Sequence, residues 1–158
     1  MILVSACLLG YKTKYNGESN QQELLLKHID NNMLLPICPE CLGLLKIPHP
    51  PAEIVGGDGA SVLSGNAQVI NKLGCDVTAN FLAGAEKVAL LADKYEVKYA
   101  ILKERSPSCG VHQIYDGSFS DKKIAGRGVC AEYLHRKNIK LFSEEELTNE
   151  LLEQLLAE

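Results

Sequence analysis

The sequence has 158 residues, of which 46% are hydrophobic and 23% are charged, and this composition excludes a disordered chain and fits a soluble globular protein. Its length is that of one domain of ordinary size, so we expect residues 1–158 to form a single domain. The formal net charge of −4 argues against a broad, non-specific affinity for nucleic acid, because that attraction requires many Lys and Arg side chains facing phosphates.

The apolar segments and the six cysteines bear on the compartment. No segment approaches the roughly 18 consecutive apolar residues of a membrane span, and the N-terminal MILVSACLLG lacks the basic leader of a signal peptide. We therefore expect a cytoplasmic protein that does not use a membrane. In a reducing compartment, cysteines are thiols, metal ligands or nucleophiles rather than disulfides.

The first half of the chain begins with a short apolar run at residues 2–6, which predicts a buried parallel strand. A polar stretch follows, and the spacing of apolar residues from about residue 20 to 33 predicts an amphipathic helix. Residues 33–38, MLLPIC, predict a second strand. Residues 39–65 contain four of the six prolines and predict a long irregular surface loop.

In the second half, a helix is predicted from about Asp76 to Tyr95, with Asp76 or Thr78 as its N-cap. It leads into a third strand at 97–103 and a turn with Asp116-Gly117 at its tip. A short helix at 128–137, a fourth strand at 139–142 and a final helix begun by a Ser143/Glu146 capping box complete the chain. This alternation predicts a three-layer, Rossmann-like α/β fold, with a mainly parallel sheet of about four strands and helices on both faces.

Three cysteines lie at the ends of predicted strands: Cys7 ends the first, Cys38 ends the second, and Cys109 lies in the loop after the third. The carboxyl ends of parallel strands meet at one edge of the sheet, where open α/β folds bind ligands, so we expect these thiols to converge. The alternative for each is simple packing, because cysteine is among the most buried residue types. Cys130 lies in a helical pattern of apolar residues and is interpreted as core packing.

Cys38 and Cys41 form a C-x-x-C, a spacing that serves zinc, iron-sulfur clusters or thioredoxin-like redox chemistry. A zinc site would want a second cysteine pair, which is absent, although His49 or His112 could supply a further ligand. The thioredoxin interpretation needs the pair to open a helix, whereas proline-rich sequence soon follows. The role of Cys41 stays open.

A series of motifs identifies a family resemblance that spans about nine tenths of the chain. In order they are SACLLG, CPE, PHPPAEI, DVTANFLAGA, AILKERSPSCG and IYDGSFS. Together they resemble the former domain-of-unknown-function family that includes the bacterial thiouracil desulfidases. The resemblance implies a [4Fe-4S] cluster held by Cys7, Cys38 and Cys109. It also implies a reaction in which the sulfur of a small thiolated pyrimidine is taken by the open iron and replaced by oxygen from water.

The chain departs from that family in the loops. Thr13 stands where members often carry a further cysteine, Leu44 replaces a glycine, and His49 replaces an arginine. The loss of the extra thiol leaves three ligands in place. The altered loop at 42–50 bears on the choice of substrate.

Polar residues beside the three cysteines are candidates for the chemistry. Glu40 follows Cys38-Pro39 and could pass protons to or from an attacking water, or merely accept backbone N–H bonds. Ser106 is a candidate catalytic hydroxyl and Ser108 a substrate-binding one, unless the two only shape a turn. Lys103 could contact a pyrimidine oxygen, or could form surface ion pairs together with Glu104 and Arg105.

Two other functions remain as alternatives. One is a zinc- or redox-binding cysteine module without catalysis. The other is an accessory of tRNA thiouridine modification, for which a basic face would have to form from Lys12, Lys14, Lys122, Lys123 and Arg127. The sequence makes no prediction about the oligomeric state.

Overall fold

The structure, a computed structural model, describes residues 1–158 and contains eight strands and six α-helices. In chain order these are β1 (Ile2–Ser5), α1 (Glu23–Leu26), β2 (Leu34–Ile37), α2 (Pro39–Leu42), β3 (Ala52–Val55), α3 (Gly59–Leu63), β4 (Gln68–Asn71), α4 (Thr78–Lys94), β5 (Tyr99–Leu102), β6 (Gln113–Tyr115), β7 (Lys123–Ala125), α5 (Val129–Arg136), β8 (Lys140–Ser143) and α6 (Asn149–Ala157). None of the helices is long and apolar enough to cross a membrane.

The central sheet has four strands in the order β2-β1-β5-β8, and all of its pairs are parallel. The register places Leu3 of β1 between Leu35 of β2 and Ala100 of β5. This confirms the predicted α/β class and the predicted four parallel strands. Two small antiparallel pairs, β3 with β4 and β6 with β7, lie outside the main sheet.

Both faces of the sheet are buried, which explains why its strands are continuous apolar runs. One face packs against α3, α4 and α5 in a core that includes Leu3, Phe81 and Leu134. The opposite face packs against α1 and α6, in a core that includes Val4 and Leu152. The sheet with its two helical layers forms the predicted three-layer arrangement.

The prediction of an irregular loop over residues 39–65 is wrong for about half of that segment, which contains α2, β3 and α3. Asp58 Oδ1 accepts the Ser61 N–H at 3.1 Å and caps α3, and β3 is held by pairing with β4. The part between α2 and β3, which contains three of the prolines, and the short turns on either side of α3 lack regular structure. The proline content predicted a loop because the two features that order this segment, the Asp58 cap and the partner strand β4, lie outside the part that is rich in proline.

Three predicted helix ends differ from the structure. The helix predicted from about residue 20 to 33 is α-helical only at Glu23–Leu26, because Leu25 alone among its apolar residues is fully buried. The long helix begins at Thr78, whose Oγ1 accepts the Val69 N–H at 2.9 Å instead of capping the helix. The Ser143/Glu146 capping box exists but begins a short 3₁₀ turn, and Thr148 caps α6.

Helix α2 packs closely against α4, and two glycines make this close contact possible. A Cβ atom on Gly84 of α4 would lie 1.9 Å from the Pro39 carbonyl oxygen, and one on Gly43 would lie 2.1 Å from the Asn80 carbonyl oxygen. These contacts leave no room for a side chain. They therefore fix the position of the segment that carries Cys38 and Glu40.

Replacing Gly84 by alanine should destabilise the fold by about 1–3 kcal/mol, because the added methyl group overpacks the contact with Pro39. Helix propensity alone predicts the opposite sign, since alanine is favoured over glycine by about 1 kcal/mol. Urea denaturation of Gly84→Ala, with the exposed Glu86→Ala of the same helix as control, measures the difference. A stabilised Gly84→Ala variant would contradict the close packing.

Candidate functional site

A cavity of about 570 Å³ opens at the carboxyl ends of β1, β2 and β5, and 25 residues line it. Its lining includes the three proposed cluster ligands and the four polar residues predicted to take part in the chemistry, namely Cys7, Cys38, Cys109, Glu40, Lys103, Ser106 and Ser108. The sheet order explains this, because β1 lies between β2 and β5. The loops that follow these three strands therefore meet at one edge.

The three thiols come from three separate elements. Cys7 lies in a 3₁₀ turn that follows β1, Cys38 is the N-cap of α2, and Cys109 lies in the loop after β5. Burial raises the pKa of Cys7, and burial raises that of Cys109 to about 12, with the other cysteines of the site adding to the increase. Without a metal, both side chains are therefore protonated thiols. Binding of iron would release their protons.

The donor set suits an iron-sulfur cluster. Soft thiolates select iron-sulfur clusters, copper(I) or zinc, and here three of them face one cavity. No three His, Cys, Asp or Glu side chains are gathered closely enough to hold a single metal ion. The thiolate ligands of an iron-sulfur cluster bind different irons, so the cysteines need not meet at the position of a single metal ion.

Cys41 occupies a different position from the other three candidates. It lies in α2 and does not line the cavity, although its backbone N–H donates to Cys38 Sγ at 3.5 Å. Burial, together with a contact to Cys38, raises the pKa of Cys41 to about 12. The expectation that C-P-E-C does not open a helix is wrong, because Pro39 is the first residue of α2.

The serine loop, residues 106–109, is organised by hydrogen bonds to Ser106. Its Oγ accepts the N–H groups of Ser108 and Cys109 at 3.2 and 3.1 Å. The hydroxyls of Ser106 and Ser108 are 2.9 Å apart, and Ser108 Oγ donates to Glu40 Oε2 at 3.0 Å. Since Ser106 already accepts two bonds, its proton is directed to Ser108. A continuous path therefore joins Ser106, Ser108 and Glu40.

Glu40 is in the first turn of α2, and its second oxygen is paired as well. Glu40 Oε1 lies 3.3 Å from His49 Nε2, and the hydrogen bond from this pair raises the pKa of His49. His49 Nδ1 lies 2.9 Å from the Pro50 carbonyl oxygen. His49 was considered from the sequence only as a zinc ligand. The sequence contained no signal for its contact with Glu40.

Lys103 lines the cavity with its amine already engaged. Its Nζ lies 3.1 Å from Glu144 Oε1 and donates to the Glu104 carbonyl oxygen at 3.0 Å. Arg105 forms a two-fold hydrogen bond with the exposed Glu145. These two contacts fit the predicted ion pairs, although the Lys103 pair is largely buried.

Glu104 does not form the surface ion pair predicted for it, because its side chain is buried with 3% exposure. One oxygen, Oε1, accepts the backbone N–H groups of Val111, His112 and Gln113 at 2.8, 2.8 and 3.1 Å, and that of Arg105 at 3.4 Å. Burial opposes ionisation, but these four donors outweigh it and hold the pKa of Glu104 below its usual range. The carboxylate thereby closes the loop that presents Cys109.

Further contacts to the cysteines were missed from the sequence. The backbone N–H of Asn20 donates to the Cys7 carbonyl oxygen at 2.9 Å, and the Asn20 side chain bonds the Cys7 thiol. The Cys38 thiol points to the Thr13 carbonyl oxygen at 3.9 Å. The departure from the family at Thr13 was the one signal that this polar stretch borders the site.

The remaining cysteine and histidine candidates lie elsewhere. Cys130 is fully buried in the core, as interpreted, and Cys75 is exposed. His112 forms an exposed pair with Glu146, with 2.6 Å between Nε2 and Oε1. Neither cysteine lines the cavity, and His112 does not either.

Comparison with known proteins agrees with the motifs. The family model described as 2-thiouracil desulfurase matches residues 2–146. The chain belongs to this family. A relative, the uncharacterized protein YbbK of Bacillus subtilis (strain 168), is 44% identical over 149 residues, which are 94% of this chain and 99% of YbbK.

A solved structure of a cofactor-dependent enzyme is also similar to this chain. The chain superposes on the [4Fe-4S]-dependent thiouracil desulfidase TudS with a TM-score of 0.84 and 38% sequence identity. The match covers 98% of this chain and 97% of TudS. This desulfurase-family chain therefore shares its complete fold, including the edge of the sheet that carries the cavity, with a cluster-dependent desulfidase.

Proposed function

We propose that this protein is a [4Fe-4S]-dependent desulfidase that converts the C=S group of a small thiolated pyrimidine to C=O. The observation that carries the proposal is the convergence of three thiols and Glu40 on one cavity. The chain's 38% identity to a thiouracil desulfidase supports it. Water supplies the oxygen, the sulfur leaves as hydrogen sulfide with both protons of that water, and no net electron transfer occurs.

In this proposal Cys7, Cys38 and Cys109 hold the cluster. With three thiolate ligands, a bound cubane supplies one open iron as a Lewis acid for a soft sulfur atom. The chain contributes the enclosure, because Cys109, which lines the cavity, is itself buried. Gly110 permits the tight backbone of this loop, since a Cβ there would lie 2.6 Å from the Gln113 carbonyl oxygen.

Glu40 is the proposed base that takes a proton from water. Its Oε2 receives the Ser108 hydroxyl, and Ser106 lies behind Ser108 on the same path. This path can return a proton to the departing sulfur through the two hydroxyls. Ser108 is also placed to bind a heteroatom of the pyrimidine, and Lys103 is placed to contact one of its oxygens at the rim of the cavity.

The substrate is proposed to be a thiouracil-like base or nucleoside, with a tRNA nucleotide as the larger alternative. The proposed compartment is the cytoplasm, where the six free cysteines would stay reduced. We also propose that residues 1–158 act as a single domain. The sheet and the cavity both use residues from the first and the second half of the sequence.

The test is anaerobic reconstitution with iron and sulfide, followed by incubation with 2-thiouracil, 4-thiouracil and their nucleosides. We expect about four irons per chain and release of sulfide with formation of the oxo base. Chains that carry the full cluster but release no sulfide from any thiolated pyrimidine, free or in tRNA, would refute the proposed activity. Binding of zinc in place of iron would refute the proposed cofactor.

Replacing Glu40 by glutamine should lower kcat about 100-fold, because general base catalysis contributes on this order. Iron content should stay at the wild-type level, since glutamine keeps the side-chain oxygen that accepts from Ser108. Iron assay and sulfide release on the same sample separate the two effects. Wild-type turnover in Glu40→Gln would remove Glu40 from the mechanism.

A further inference from the structure

His49 lies behind Glu40 relative to the cavity. Glu40 lines the cavity and His49 does not, yet the imidazole Nε2 is 3.3 Å from Glu40 Oε1. The His49 side chain is only 9% exposed. His49 is therefore buried against Oε1 of Glu40, while Oε2 of the same carboxylate contacts Ser108.

The hydrogen bonds assign both ring protons of His49. The Pro50 carbonyl oxygen can only accept, so the Nδ1 that lies 2.9 Å from it carries a proton. An ionised Glu40 can likewise only accept, so Nε2 carries the second proton. The ring is then an imidazolium, in agreement with the direction in which the Glu40 contact moves the pKa of His49.

The groups around the His49 imidazole favour one orientation of the ring. The His49 backbone N–H donates to the Tyr15 carbonyl oxygen at 2.8 Å, which ties the proline-rich loop to the edge of the cavity. The groups that face the imidazole are the Glu40 carboxylate, the Pro50 carbonyl and the Tyr15 ring, whose centroid is 6.4 Å away. On the Tyr15 side, Lys14 Nζ lies 5.8 Å from the centroid of the Tyr15 ring.

We propose that His49 is a positioning residue of this chain, holding Glu40 through Oε1 so that Oε2 stays bonded to Ser108 at the cavity. The proposal rests on the proposed function for its catalytic meaning, whereas the contact itself is testable without turnover. It also gives a reason for the histidine at this position. An arginine at this position would supply the same charge and donor but would not titrate near neutral pH.

The contact is tested by following the ring signals of His49 by NMR in the full-length chain before cluster reconstitution. His49→Arg identifies the signal by its absence. We expect His49 to titrate above the usual value of about 6.5, and to return toward that value in Glu40→Gln. The same titration in wild type and Glu40→Gln would overturn the proposal.

The positioning role is tested in the reconstituted enzyme. His49→Ala should lower kcat about 10- to 100-fold, the usual effect of removing a group that orients a site residue, with KM and iron content unchanged. His49→Arg should restore kcat and abolish the decline of wild-type kcat as the pH rises through the His49 pKa. Full activity in His49→Ala, or no rescue by arginine at full iron content, would overturn the role.

The matched control is His112→Ala, which removes the imidazole of another His–Glu pair outside the cavity. It should change neither kcat nor the His49 titration. A wild-type enzyme that carries its cluster and turns over no thiolated pyrimidine would refute the proposed function alone. The NMR comparison would then still decide whether His49 holds Glu40.

Discussion

Replacing Cys109 by serine is expected to reduce iron from about four atoms per chain to background and to abolish desulfidation. The thiol is buried beside the other two proposed ligands, and no further cysteine lines the cavity to take its place. Cys7→Ser and Cys38→Ser should behave in the same way. Anaerobic reconstitution followed by iron and sulfide assays and an absorption spectrum measures the effect without depending on turnover.

Two cysteines serve as controls for this series. Cys75 is exposed and outside the cavity, so Cys75→Ser should keep full iron and activity. Cys41→Ser distinguishes the two halves of the C-x-x-C, since Cys41 does not line the cavity. Loss of iron in Cys41→Ser, with iron retained in Cys38→Ser, would show that Cys41 and not Cys38 is the cluster ligand.

Replacing Glu104 by alanine is expected to destabilise the protein by about 4 kcal/mol, because a buried carboxylate that accepts four backbone N–H groups is lost. For a chain of this size, that change lowers the Tm by roughly 10 °C. Urea or thermal denaturation of the apoprotein measures it. The neighbouring Glu145→Ala removes an exposed partner of Arg105 and should cost less than about 1 kcal/mol.

The same carboxylate determines part of the acid sensitivity. The pKa of Glu104 is lower in the folded chain than the usual value of about 4.3. Above that pH, its contribution to the free energy of unfolding is therefore complete. The contribution is lost as the pH falls through the folded pKa, because the unfolded chain then binds the proton more readily. Glu104→Gln should therefore show a weaker loss of stability below about pH 4 than wild type. Parallel pH curves for the two proteins would contradict the assignment.

The strands and the convergence of the cysteines were predictable from the sequence because they depend on local patterns. Four short apolar runs predicted four buried parallel strands, and the rule that parallel strands end at one edge placed Cys7, Cys38 and Cys109 together. The wrong predictions involve partners distant in sequence. Strand β3 requires β4, and the short α2 requires the glycine contact with α4.

Glu104 and His49 show the same limit within the site. A glutamate between Lys103 and Arg105 has the sequence signature of a solvated surface, and only the return of residues 111–113 over it creates three of its four donors. His49 between two prolines has the signature of an exposed loop. Its burial against Glu40 depends on how that loop folds back on Tyr15. Such contacts exist only in three dimensions.

The three proposed ligands come from three different strand ends, and this arrangement determines the order of assembly. An unfolded chain keeps the three proposed ligands apart, because bringing such distant segments together costs loop-closure entropy. The sheet and its two cores, which buried apolar side chains hold together, must therefore form first. An enzyme built in this way can lose its cluster to oxygen and still be a folded protein. Repair is then a matter of reinserting iron and sulfide, with no new synthesis or refolding of the chain.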